Sequence, residues 1–313
     1  MKLRKLGSSN IEVAPLAFGG NVFGWTVKEQ EGFALLDRFV EKGFNLIDTA
    51  DMYSTWVPGN KGGESETIIG NWLRKSGKRD KVIIATKVGV EMGPDKKGLG
   101  KKYIIQAVED SLKRLQTDYI DLYQSHQDDP ETPMEETLSA YGDLIKAGKV
   151  RSIGASNYSR ERLQEALDVS KKYSLPHYAT LQPRYNLYDR EEYESELMEF
   201  CVKNNIGVIS YYSLASGFLT GKYRSPEDLS KSSRGGGVKS YLDAKGMEIL
   251  KKLDLVSREY QATPAQVSLA WLMARPGVVA PIASATTLVQ LEDIMKASEL
   301  ELTSETISLL SET

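Results

Sequence analysis

Residues 118–157, DYIDLYQSHQDDPETPMEETLSAYGDLIKAGKVRSIGASN, hold two apolar runs with a helical pattern between them. Residues 120–126 and 150–156 read as strands, and they end on His126 and Ser156. Between them Met134, Leu138, Tyr141 and Ile145 recur at the three-to-four-residue spacing of one helix face. A link of this length, carrying a helix, joins parallel strands as a crossover rather than a hairpin. The strands read as nearly continuous apolar runs, the pattern of strands covered on both faces.

The same unit repeats in both directions. Toward the N-terminus, residues 82–86 are followed by a helix face of Ile104, Ile105, Val108, Leu112 and Leu115. Residues 44–48 precede a face of Ile68, Ile69, Trp72 and Leu73. Residues 13–18, closed by Gly19 and Gly20, precede Phe33, Leu36 and Val40. Toward the C-terminus, Ser159 is placed to cap the next helix. Strands follow at 179–182, 207–211 and 279–282, with Leu197, Phe200 and Cys201 on the helix after the sixth and Leu291, Ile294 and Met295 on a last helix. Eight such units in 313 residues predict an α/β fold of the (β/α)8 TIM-barrel type. The expected organisation is one barrel domain over residues 1–313, with a short N-terminal hairpin, turned at Ser8-Ser9-Asn10, closing the barrel bottom. A doubly wound open sheet is the structural rival, but no Gly-x-Gly-x-x-Gly follows the first strand. Two segments after strands are unusually long and irregular, residues 54–63 and 216–246, and in a barrel such loops lie on the catalytic face.

Composition narrows the function classes. A net charge of −3 gives no basic surface for nucleic acid. No apolar run reaches the ~20 residues of a membrane span. The N-terminus, MKLRKLGSSN, lacks the apolar core of a signal peptide, so a cytoplasmic location is expected. One cysteine, Cys201, rules out an internal disulfide, and two histidines leave little for a metal site, so no metal is expected.

Polar residues stand where the strands end. Asp48, Lys87 and His126 close the second, third and fourth strands; Ser156 and Asn157 the fifth; Gln182 the sixth; Tyr211 the seventh. These ends share the C-terminal mouth of a barrel, where site residues collect. Each alone has an ordinary structural role open to it. His177 falls before strand six, on the opposite face, and reads as structural.

Taken together, GFNLIDTADMY, IATKV, DLYQSH, KVRSIGASNY, LQPRYN, LTGKY and SATTLVQLED resemble the aldo-keto reductases over essentially the whole chain, including members similar to potassium-channel beta subunits. The resemblance implies an NAD(P)H-dependent oxidoreductase that reduces aldehyde or ketone carbonyls to alcohols. It implies a catalytic set of Asp48, Tyr53, Lys87 and His126. Carbonyl reduction needs a hydride on carbon and a proton on oxygen. A free tyrosine, with a pKa of about 10, is a poor acid at neutral pH. A lysine cation nearby favours its phenolate and so strengthens the acid. Tyr53 is then the proton donor, Lys87 its electrostatic partner, Asp48 the anchor of Lys87, and His126 the group that orients the carbonyl oxygen.

The resemblance also carries a cofactor site. Gly20, Asn21 and Asp48 fall on the nicotinamide side; Ser156, Asn157 and Gln182 match partners of the carboxamide; Tyr211 matches the aromatic that stacks on the ring. Tyr212, Ser213, Leu214, Ala215, Ser216, Gly217 and Lys222 match the pyrophosphate loop. Arg234 resembles a loop arginine at the adenosine end, and Ser284, Thr286, Gln290 and Asp293 match the adenosine segment. Departures are Tyr212 where relatives often have serine, Ser213 where they have proline, and Ile294 where many have asparagine. NADPH/NADP+ is the implied cofactor, with NADH as the alternative, because residues 284–290 lack the basic pair some members aim at a 2′-phosphate. The expected partner is a small-molecule carbonyl substrate, with neither nucleic acid nor membrane, and the sequence is silent on oligomeric state. Trp56, with Tyr53 and His126, is assigned to the substrate side, and Phe23, Trp25 and Tyr188 are further candidates for an aromatic wall. Two alternatives stay open at this point: a redox-sensing cofactor-binding subunit with slow turnover, and a barrel glycosidase using Glu64 and Glu66 or Asp128 and Asp129.

Overall fold

The computed structural model describes residues 1–312. The chain opens with a two-stranded antiparallel hairpin, β1 (Arg4–Lys5) and β2 (Glu12–Val13). Eight parallel strands follow: β3 (Ala17–Gly19), β4 (Leu46–Asp48), β5 (Ile83–Val88), β6 (Ile120–Ser125), β7 (Val150–Ser156), β8 (Thr180–Gln182), β9 (Gly207–Val208) and β10 (Ile282–Ala283). The order β10-β3-β4-β5-β6-β7-β8-β9 is closed by Val279 N–H to the Val208 carbonyl and Ile282 N–H to the Ser210 carbonyl, both 2.8 Å. The predicted (β/α)8 barrel is therefore the observed architecture. Helices α1 (Glu29–Glu41), α2 (Glu64–Ser76), α3 (Lys101–Leu115), α4 (Met134–Lys146), α5 (Arg160–Tyr173) and α6 (Met198–Lys203) link successive strands. The expected cap of α5 is formed, since the Ser159 hydroxyl accepts the Arg162 N–H.

Strand alternation sorts the side chains into two cores. Ile47, Ile84 and Tyr123 point outward and pack in the layer between sheet and helices. Leu46, Ala85 and Leu122, one step away, point inward and join Leu6, Ile11 and Val13 of the hairpin. The hairpin thus seals the bottom of the barrel with apolar side chains. Two residues further along each strand the next inward positions are Asp48, Lys87 and Gln124, all buried. The lower interior is apolar and the upper interior is polar. Arg4 fastens the hairpin to the closing seam, its Nη1 donating to the carbonyls of Met273 and Val278 at 3.0 and 3.1 Å.

The structure corrects several boundaries. The expected first strand over 13–18 is two pieces: Val13 belongs to β2, opposite Arg4, and Pro15, which has no N–H to give a ladder, precedes β3. The seventh strand shortens to Gly207–Val208 and the eighth shifts to Ile282–Ala283. Beyond the sequence reading stand α7 (Ala244–Glu259), α8 (Pro264–Met273) and α10 (Ser304–Ser311), while α9 (Leu288–Met295) is the expected late helix. Residues 265–273 of α8 are all buried, so no polar face marks its period. Residues 215–241 contain three short 3-10 segments.

Gly7 turns the hairpin at φ +57°, and a Cβ there would stand 1.9 Å from the Ala179 carbonyl oxygen and 2.5 Å from Gly207 N. Gly7→Ala is therefore expected to destabilise the fold by roughly 2–4 kcal/mol, combining backbone strain with a clash against strand backbone. Denaturant unfolding checks this, and an unchanged midpoint would show that the hairpin does not clamp the barrel bottom.

Candidate active site

The polar layer of the barrel interior is built around Lys87. Its Nζ donates to Asp48 Oδ2 at 2.8 Å, to the Thr49 carbonyl at 2.8 Å and to Tyr53 Oη at 2.9 Å, which uses all three ammonium protons. Asp48 Oδ2 also accepts from the Tyr53 hydroxyl at 3.2 Å, and Oδ1 accepts from Gln182 Nε2 at 2.9 Å. Tyr53 sits on the turn after β4, which is pinned where the Ser54 hydroxyl donates to the Phe23 carbonyl at 2.7 Å. His126 follows β6, its N–H bonded to the Val88 carbonyl, and its ring stands 6.0 Å from that of Tyr53. The four expected catalytic residues meet in one place.

Burial decides the protonation states. Burial first, and then the Asp48 carboxylate, holds the Tyr53 phenol well above its ordinary range, so the resting hydroxyl is protonated. The sequence reading expected Lys87 to pull this phenol toward ionisation. In the folded chain burial and Asp48 set the opposite direction, because both penalise the phenolate. Burial also lowers Lys87, against the opposing pull of Asp48. His126 is lowered to about 3 by burial and, secondarily, by the Lys87 charge, so its imidazole is neutral. Its Nδ1 is buried without a hydrogen-bond partner.

Tyr53 and His126 open into a cavity of about 1060 Å³ that also reaches Asn21, Ser156, Asn157, Gln182 and Tyr211. Ser156 Oγ donates to the Gln182 carbonyl, and Tyr211 Oη donates to Asn157 Oδ1 at 2.8 Å, with Asn157 itself at φ +57°. Further out the walls are Tyr212, Ser213, Leu214, Ser216, Gly217 and Lys222. Gly217 lies at φ +94°, a backbone conformation that favours glycine, beside the Lys222 side chain. Arg234 lines the cavity with its guanidinium 5.3 Å from the Trp25 ring and its Nη2 buried without a hydrogen-bond partner. Trp25 meets Trp56 edge-on at 5.8 Å, and Trp56 meets Tyr53 at 6.1 Å. The far end is formed by Ser284, Thr286, Gln290 and Asp293. Ser284 bonds Asn21 at 2.7 Å, and Asp293 is engaged by Thr263 and Gln266 of the α8 cap.

Some expected residues lie elsewhere. Gly20 is buried against the Asp48 carbonyl and Ser65, and Gly19 lines the cavity in its place. Ala215 is buried in the outer core. Phe23 stacks on Phe18 at 5.3 Å inside that core, and Tyr188 packs edge-on against Tyr241 and donates to Asp243, so neither joins the aromatic wall. Glu66 lies in the first turn of α2, buried and paired to Arg114 at 2.7 Å. Asp128 holds Arg162, and Asp129 accepts from Leu99 N and Thr132. With Glu66, Asp128 and Asp129 committed to packing, neither carboxylate pair is left whole for the glycosidase alternative. Residues 232 and 233, Thr263 and Ala265 line the cavity without having been singled out. Gln124, beside Gln182 at 3.4 Å, was also not singled out, and its parity with Leu122 is the signal that could have found it.

The chain matches the Aldo/keto reductase family over residues 15–313. It is 32% identical to Protein tas of Escherichia coli K12, across 98% of this chain and 96% of that protein. It is 32% identical to a probable voltage-gated potassium channel subunit beta of Arabidopsis thaliana, across 96% and 92%. It is 32% identical to L-glyceraldehyde 3-phosphate reductase of Escherichia coli O157:H7, across 95% and 87%. The chain belongs to the aldo/keto reductase family, an oxidoreductase family whose members typically use nicotinamide cofactors. Among the described residues no helix is long and apolar enough to cross a membrane.

The neutral state of His126 has a direct consequence. Its imidazole resonances are expected to stay fixed from about pH 5 to about pH 8, where an ordinary histidine would titrate. A ring titrating midway in that range would mean that the imidazole works as a cation.

Proposed function

We propose that this aldo/keto reductase reduces aldehyde or ketone carbonyls to alcohols with a nicotinamide cofactor, using Tyr53 as the proton donor. The observation that carries this reading is the three-way contact of Lys87 with Asp48 and Tyr53 at the mouth of a large cavity. When bound, the cofactor supplies the hydride. The chain's own residues hold and move the proton. Tyr53 keeps its hydroxyl proton at rest, since burial and Asp48 both disfavour the phenolate. A developing alkoxide is a far stronger base than phenolate and takes that proton. Lys87, already donating to Tyr53 Oη, then stabilises the phenolate left behind. Asp48 keeps Lys87 charged inside the barrel, and Gln182 satisfies the second Asp48 oxygen. His126, neutral and beside Tyr53, serves as an uncharged hydrogen-bond partner for the carbonyl oxygen.

The residues present fit a nicotinamide dinucleotide. Asn157, Ser156 and Gln182 would hold the carboxamide, Tyr211 the ring, and the backbone of 213–217 with Lys222 the pyrophosphate. Ser284, Thr286, Gln290 and Asp293 would hold the adenosine end. The unpartnered Nη2 of Arg234 supports NADPH over NADH, because a buried guanidinium edge seeks an anion. Trp56, exposed and in edge contact with Tyr53, is the side chain placed to meet the substrate.

Tyr53→Phe is expected to fold and to bind cofactor while losing reduction by at least ~100-fold, the scale of a lost general acid. Steady-state turnover of a reactive aldehyde measures this, and it also separates an enzyme from a slow redox-sensing subunit. Near wild-type turnover in the variant would remove Tyr53 from the mechanism. Arg234→Ala is expected to weaken NADPH by roughly 1.5–3 kcal/mol and to leave NADH unchanged, the scale of one hydrogen bond to a charged group. Fluorescence titration of both cofactors checks it, and equal loss on both would reassign Arg234 to a contact they share.

A further inference from the structure

Three residues past Asp48 lies a carboxyl that the proton-donating site does not use. Asp51 is 1% exposed, and neither of its oxygens has a hydrogen-bond donor. Its own N–H donates to the Lys87 carbonyl at 3.2 Å, which fixes it behind the end of β5. The titratable groups that interact with it come from five elements: Glu66 on α2, Tyr103 and Arg114 on α3, Tyr141 on α4, Lys87 on β5 and Tyr123 on β6. The hydroxyls of Tyr103 and Tyr123 are likewise buried without partners. The Met52 N–H faces the Asp51 carboxyl without hydrogen-bonding geometry.

Both cations in this cluster are already committed. Lys87 is paired to Asp48 at 2.8 Å and Arg114 to Glu66 at 2.7 Å. Asp51 is a third carboxyl with no counter-ion left for it. A buried carboxylate with neither donors nor a cation of its own takes up a proton instead. We propose that Asp51 is held as a neutral carboxylic acid behind Lys87 and acts as a positioning residue for proton donation, keeping a second negative charge away from the Lys87–Tyr53 pair. Burial and the nearby Glu66 push its carboxyl well above the usual range, against smaller pulls from Arg114, the Met52 N–H and Lys87. Ionised Asp51 would favour the protonated phenol, make Tyr53 a weaker acid and slow reduction as pH rises.

The kinetic part rests on the carbonyl-reductase reading; the other two readouts do not. Infrared difference spectroscopy of wild type against Asp51→Asn is expected to show the carbonyl stretch of a protonated carboxylic acid in wild type alone. Folding takes up a proton at Asp51, because its folded pKa lies above the unfolded value of about 3.9. Its stabilising contribution is thus complete below that value and declines as pH rises toward the folded pKa. Asp51→Asn removes the decline, so its Tm is expected to equal or exceed that of wild type at neutral pH, with the gap widening as pH rises. Wild-type reductive kcat is expected to show an alkaline limb as Asp51 ionises, a limb that Asp51→Asn is expected to lack, with cofactor Kd unchanged, and Asp51→Glu is expected to restore it. Should Asp51→Asn not fold, the neutral and similarly sized Asp51→Leu takes its place. Absence of the acid band, or a Tm lowered by several degrees at neutral pH, would show an ionised structural aspartate and overturn the proposal. An acid band with an alkaline limb that persists in Asp51→Asn would overturn the positioning role. A missing carbonyl-reductase activity in wild type, with the band present, would instead count against the functional reading.

Discussion

Lys87 and Asp48 face each other at 2.8 Å with water excluded from both side chains. Removing two such ions from water costs several kcal/mol each, and attraction offsets that cost only when every remaining donor and acceptor is also satisfied. Here they are satisfied: the ammonium has three acceptors, and the carboxylate accepts hydrogen bonds from Lys87, Tyr53 and Gln182. That requirement orders its surroundings. Tyr53 must sit on a fixed turn for its hydroxyl to complete the set, and Gln182 must end β8 at the right height. Removing either ion alone leaves the other stranded in the barrel, which is why the pair is both a structural element and the setting for chemistry.

The same logic divides the barrel into storeys. Below the ion pair, Leu46, Ala85 and Leu122 fill the interior and the hairpin closes it with Leu6, Ile11 and Val13. Above it, the interior turns polar and the loops take over. Trp25, Trp56 and Tyr53 form an edge-to-face series that ends under the Arg234 guanidinium. Rigid strands set the Lys87–Asp48–Tyr53 cluster, and longer loops set what reaches it, the usual division of labour in a barrel enzyme.

Much of this was legible from residue pattern. Alternating apolar strands and helix faces gave the barrel, and polar residues at strand ends marked its mouth, because period-2 alternation brings Asp48, Lys87 and Gln124 to the position above Leu46, Ala85 and Leu122. Other features leave no local signal. Helix α8 is buried on every side, so its amphipathic period vanishes. Phe23 and Trp25 are two residues apart with opposite fates, one in the outer core and one on the cavity wall, and only tertiary packing separates them. The protonated rest state of Tyr53 depends on burial that no spacing reports. The pairing of Glu66 with Arg114 joins residues 48 positions apart.

The bond from Arg4 to the carbonyl of Val278 spans 274 positions of chain. Its consequence is temporal. A chain made at about 5–20 residues per second leaves the N-terminal hairpin waiting on the order of tens of seconds before its anchor exists. Until then β3 has an open edge, and Leu6, Ile11 and Val13 have only a partial floor to cover. Barrel closure thus waits on residues 273–282, and the hairpin over residues 4–13 is a part that only chain made more than 250 positions later can lock.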